Sequence, residues 1–254
     1  MVDNSEIPLI NTLIVGSALT IILTWLNMLG KTSTILLILI TGILINLGYW
    51  WINVNKESKE SGLHIEYTQI NQKLGLYLFI ISEVLFFITF FWTLLHSALI
   101  VNEEVGGEWP PKGIDIIEWY QVPLVNTILL LSSGIAITWV HKGLNIENKT
   151  EYNKSMNLTI ILGLIFLYVQ YTEYIESVNS IADSIYSNTF YLTTGFHGIH
   201  VIIGVTLLIV TYIRLVKINY TNTHNMGFTY ATVYWHFVDV IWLILIVLVY
   251  IWGS

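Results

Sequence analysis

The chain contains no cysteine. That excludes disulfides, thiolate metal sites and iron–sulfur clusters within it, and leaves its compartment open. Charge is almost as scarce: Asp, Glu, Lys and Arg supply 11% of the 254 residues, where a soluble domain carries about 25%. The first apolar run follows an acidic segment, Met1 to Glu6, without the basic start or small-residue cleavage site of a secretory signal, so it is expected to remain in the mature chain. The connections between apolar runs are too short to hold a soluble domain.

What the chain does have is hydrocarbon: 55% of its residues are apolar. Runs long enough to cross roughly 30 Å of bilayer core occur at 9–29, 34–54, 74–101, 124–141, 156–175, 189–216 and 229–252. The fold class expected is an all-α membrane protein of seven transmembrane helices. The fourth and fifth runs are the shortest and carry Asn, Ser and Gln. A polar stretch, 55–73, sets the first two helices apart, so the domain expectation is a two-helix bundle over 1–60 and a five-helix bundle over 61–254. The tract at 106–113, with paired glycines and Pro110-Pro111, reads as a loop.

The few charges are unevenly placed. The N-terminus and the second, fourth and sixth loops share one side of a seven-helix protein. That side holds Lys56, Lys59, Lys73, Lys142, Lys149, Lys154, Arg214 and Lys217, leaving only Lys31 and Lys112 of the ten basic residues opposite. The positive-inside rule then puts the N-terminus on the cytoplasmic or matrix side and the C-terminus outside. The outer loops are acidic, with Asp115, Glu118, Glu173 and Glu176 among them.

Some ionisable groups lie inside the runs themselves. Glu83 stands about 13 Å into the third at 1.5 Å per residue, where an acidic side chain costs roughly 2.5–3.5 kcal/mol. It is either a hydrogen-bonded carboxylic acid tied to a neighbouring helix or an acid that faces a cleft and exchanges protons. His197 and His200 are three apart on the sixth run, as are His236 and Asp239 on the seventh, and Glu173 lies near the end of the fifth. Three imidazoles and a carboxylate are a ligand set suited to zinc or non-haem iron. The alternative, favoured here, is a polar network that ties helices together without a metal.

Six segments then agree in order with one family. SEVLFF at 82–87, FWTLLHSAL at 91–99, WPPKGI at 109–114, VPLVNTILLLSSG at 122–134, TGFHGIHVIIG at 194–204 and YWHFVDVIWL at 234–243 resemble cytochrome c oxidase subunit III of the haem-copper oxidases, in its mitochondrial form. The Gln170, Glu173, Tyr174 pattern belongs to the same resemblance. It implies seven helices, with the first two splayed from the other five around a lipid-filled cleft. It also implies no redox centre, no catalytic residue and no metal in this chain, with haem and copper held by partner subunits.

By the same resemblance Glu83 is the intramembrane acid near the cleft, and Trp51, Lys56, His64, Arg214 and Lys217 stand at lipid contacts. The implied partners are the catalytic subunit I, other oxidase subunits and structural phospholipids (phosphatidylglycerol, phosphatidylethanolamine and cardiolipin). No nucleic-acid partner is expected. The implied role is to stabilise the catalytic subunit and sustain proton uptake, in the mitochondrial inner membrane. The family's His-rich N-terminal segment has no counterpart in Met1 to Glu6, and Ile52 and Asn53 replace its usual Arg and Asp. Rival readings are subunit III of a quinol oxidase, a free-standing proton-coupled transporter using Glu83 and Asp239, and a metalloenzyme built on His197, His200, His236 and Asp239.

Overall fold

A computed structural model describes residues 5–26, 33–59, 66–101, 107–146, 148–218 and 226–253. These form helices α1 (Ile7–Leu26), α2 (Ser33–Lys59), α3 (Glu66–Leu99), α4 (Val122–Asn145), α5 (Lys149–Glu176), α6 (Ile185–Ile218) and α7 (Met226–Leu245), the last continued by a π-helical segment, Ile246–Ile251. All seven helices are long and apolar enough to cross a membrane. No strand occurs among the described residues.

Several helices outrun the apolar segments that announce them. The third run starts at 74, yet α3 starts at Glu66. Glu66, Gln69 and Gln72 are ordinary residues for a helix surface in water, so hydropathy registers only the stretch that needs lipid. The fourth and fifth helices, short as apolar runs, reach 24 and 28 residues. Pro123 sits in the first turn of α4, where its missing N–H costs no intrahelical bond. Asn148 caps α5, its side-chain oxygen accepting from the N–H groups of Thr150 (3.2 Å) and Glu151 (3.4 Å).

The chain divides into two compact units, Met1–Gln72 and Lys73–Ser254. In the first, α1 pairs with α2, and the amide of Asn46 donates to Oδ1 of Asn11 at 2.8 Å. Most of their other side chains stay exposed: Leu13, Leu37, Ile38 and Ile45 are all more than 60% accessible. That is the expected surface of helices whose solvent is hydrocarbon. Hydroxyls on these helices turn back onto their own backbone, as Thr12 does to Leu9 O and Thr41 to Ile38 O, both at 2.8 Å.

The second unit has a true core, and α7 is its most buried helix. Trp235 is the centre of it. Fully buried, the indole lies where a Cβ on Gly163 of α5 or on Gly204 of α6 would come within 2.8 Å of its ring. Its Nε1–H donates to Ser133 Oγ of α4 at 3.0 Å. One side chain therefore joins four helices, through the small residues that let backbones approach when no hydrophobic effect drives association. At the other end of α4, a Cβ on Gly143 would meet the backbone nitrogen of Tyr152 at 3.0 Å, so α4 and α5 cross closely there.

At the opposite end of this unit the 107–121 loop packs against the C-terminus. Trp109 Nε1–H donates to Gly253 O at 3.0 Å, and its ring meets Tyr186 edge-on. Gly107 and Gly113 take φ of 68° and 90°, conformations that L side chains rarely adopt. The Trp109–Pro110 bond is cis.

Candidate functional site

Glu83 projects from the middle of α3. Its Oε2 lies 2.7 Å from Nε2 of His200 on α6, with side-chain exposures of 22% and 9%. The surrounding wall is aromatic: His200 lies 5.0 Å, centroid to centroid, from the fully buried Phe87, and stacks at 6.5 Å on Tyr234 of α7. Phe86, 37% exposed, carries the aromatic surface outward.

The second imidazole nitrogen determines what this pair does. His200 Nδ1 is 2.6 Å from the carbonyl oxygen of Phe196, and a carbonyl only accepts, so Nδ1 carries hydrogen. One further proton then lies in the 2.7 Å contact between Nε2 and Oε2. With the proton on oxygen the pair is neutral; with it on nitrogen, the pair is an ion pair. Both forms make the same two hydrogen bonds, so moving that proton between oxygen and nitrogen leaves the neighbours in place.

The other intramembrane groups do not join this pair. His197 is fully buried between Phe166 (5.8 Å between centroids) and Trp242 (5.1 Å), and neither ring nitrogen has a hydrogen-bond partner. His236 and Asp239 face each other on α7 at 3.7 Å between Nδ1 and Oδ2. Asp239 packs against Gly134 of α4, where an added Cβ would lie 2.7 Å from its Oδ2. Glu173 belongs to a separate buried cluster: its Oε1 accepts from Tyr250 O–H at 2.7 Å and from the Gln170 amide at 3.1 Å. Gln170 Oε1 in turn accepts from Asn126 at 3.2 Å. Among the described residues, no three His, Asp or Glu side chains converge as a metal site would require. The ligand set imagined from the sequence is distributed over different neighbours.

Of the residues expected to meet lipid, Trp51 is half exposed and Lys56 is exposed on α2 in the first unit. Arg214 is half-buried near the end of α6 in the second unit. His64 lies outside the described residues, as does the side chain of Lys217.

Sequence reasoning missed Tyr250 as the buried partner of Glu173, since a tyrosine near a span end reads as an interfacial anchor. It also missed the Asn11–Asn46 bond. There a signal existed: the two amides stand at similar distances from the connection between α1 and α2, 15 residues before the end of α1 and 13 after the start of α2.

The whole chain, residues 1–254, matches the family described as Cytochrome c oxidase subunit III. Proteins named Cytochrome c oxidase subunit 3 are similar over all of it: one from Rattus norvegicus is 45% identical, with 97% of that protein covered. One from Damaliscus lunatus is 42% identical over 97% of its length, and one from Anopheles quadrimaculatus 40% over 96%. Seven membrane-length helices, ordered motifs and full-length similarity agree, and the chain belongs to the cytochrome c oxidase subunit III family.

Proposed function

We propose that the chain is a non-catalytic core subunit of cytochrome c oxidase in the mitochondrial inner membrane. It packs against the catalytic subunit, steadies it during turnover, retains structural phospholipid and sustains proton uptake on the inner side. Haem and copper belong to its partners. The N-terminus lies on the matrix side and the C-terminus on the intermembrane-space side, a reading that the eight-to-two division of basic residues supports.

The observation that carries the supporting role is the Glu83–His200 contact. A partly exposed carboxyl group at mid-span with one shared proton suits proton exchange at a surface that meets lipid. The phospholipid headgroups would be met by Trp51, Lys56, His64, Arg214 and Lys217, whose indole, imidazole and cationic groups complement phosphate. The named phospholipids, phosphatidylglycerol, phosphatidylethanolamine and cardiolipin, all present that phosphate.

The test is purification from native membranes in mild detergent, scoring co-purifying polypeptides, lipid phosphorus and haem, copper, zinc and iron per chain. Recovery with haem- and copper-bearing partners, and no metal on this chain once it is stripped from them, is the expected result. A solitary chain that carries its own metal, or one that moves solute or protons alone in vesicles, would overturn the reading in favour of a metalloenzyme or a transporter. The companion subunits separate the cytochrome c oxidase from the quinol oxidase.

A further inference from the structure

At the end of the five-helix unit formed by the 107–121 and 177–184 segments lies a pocket of about 300 Å³. Its lining includes Asp115, Glu118, Gln121, Glu173 and Glu176, and holds no Lys, Arg or His. Three of the four carboxylates are exposed, but Glu173 is only 4% accessible. Its Oε1 is satisfied from within by Tyr250 and Gln170. Its Oε2 is buried without any hydrogen-bond partner. Lys112, the basic residue of the 107–121 segment itself, is engaged with Glu108 at 3.4 Å. Glu173, with an unpartnered buried oxygen, thus lines an acidic pocket to which none of the described residues contributes a cation.

We propose that this pocket receives the ammonium or guanidinium group of a basic side chain from a partner subunit, which completes Glu173 and neutralises Glu118 and Glu176. The inference rests on the reading that the chain assembles into a complex. A free metal ion fits less well. Calcium takes six to eight oxygen ligands, and among the described residues no three carboxylates converge to begin such a shell. An ammonium or guanidinium needs only acceptors disposed around its N–H groups, and a carboxylate is the strongest acceptor for them. The rim points to a protein as the source of the cation. In the pocket lining beyond the helix ends, Val178 is 80% exposed and Ile116 39%, apolar surface beside the carboxylates that a docked polypeptide covers and a free cation leaves in contact with water.

The experiment labels carboxylates with a water-soluble carbodiimide and glycine ethyl ester, in the intact complex and in the same chain after release from its partners, with readout by peptide mass. Asp115, Glu118 and Glu176 are expected to label several-fold less in the complex, while Glu108 labels alike in both. The Glu118→Gln, Glu176→Gln double variant, altered only at exposed positions, is expected to release the covering subunit at lower salt than the unaltered complex does. Equal labelling in the two states would overturn the proposal. So would protection of the released chain by calcium or magnesium alone, which would make this a metal site. An unchanged salt profile in the double variant would assign the seat to apolar contact rather than to charge. If the chain has no partners at all, nothing co-purifies in the first place, which separates failure of assembly from failure of this pocket.

Discussion

At the residue scale, Glu83 is held by a hydrogen bond that an amide can reproduce. Glu83→Gln keeps an N–H to donate to His200 Nε2, so the variant is expected to assemble with its full haem and copper complement. Glu83→Lys sets an ammonium against an imidazole within the span, at a cost of roughly 2.5–3.5 kcal/mol or more, and the amount of complex recovered should fall sharply. Spectroscopic haem content of the purified complex separates the two. Gly134→Ala tests the other acid: the new methyl group would lie 2.7 Å from Asp239 Oδ2, and displacing that buried side chain should cost about 1–3 kcal/mol, read as an earlier thermal loss of the complex. The individual polar residues were legible in the sequence as intramembrane groups, but their partners were not. Residues three apart on a helix differ by about 60° in direction. That is enough to send His197 between Phe166 and Trp242 while His200 reaches Glu83.

At the element scale, the Asn11–Asn46 bond is a polar link between α1 and α2. Interhelical side-chain hydrogen bonds in membranes contribute about 0.6–2 kcal/mol. Asn46→Leu should weaken the pairing of the two helices by that amount, and adding Asn11→Leu should cost little more. A double-mutant cycle on unfolding of the detergent-solubilised complex measures the coupling, and strictly additive losses would show that the bond contributes nothing. The existence and number of helices were legible because seven long apolar runs have one economical solution in a bilayer. Their ends were not. At 34 residues α3 and α6 span about 51 Å at 1.5 Å per residue, well beyond the hydrocarbon. The parts in water obey propensity and capping, which leave a fainter trace than hydropathy does.

At the scale of the whole molecule, lipid retention is the property that local contacts serve together. Neutralising Arg214 and Lys217 is expected to reduce anionic phospholipid in the purified complex without removing the chain from it, as lipid phosphorus per haem would show; unchanged content would remove both residues from the headgroup assignment. Function was legible through the order of motifs rather than through any one site. The buried acceptor of Glu173 depends on residues from α4, α5 and the π-helical end of α7 meeting in space, which no linear pattern reports.

Trp235 carries a consequence for how such a sequence can change over generations. Its indole occupies the space left by the missing side chains of Gly163 and Gly204, and it takes Ser133 as acceptor. An alanine at either glycine strikes the ring, and a smaller ring at 235 leaves a void and an idle hydroxyl. Each single step lowers fitness, whereas paired steps restore the fit. Lineages that depart from tryptophan at this position should therefore also carry larger residues at one or both glycine positions, and the four sites should be inherited as a block.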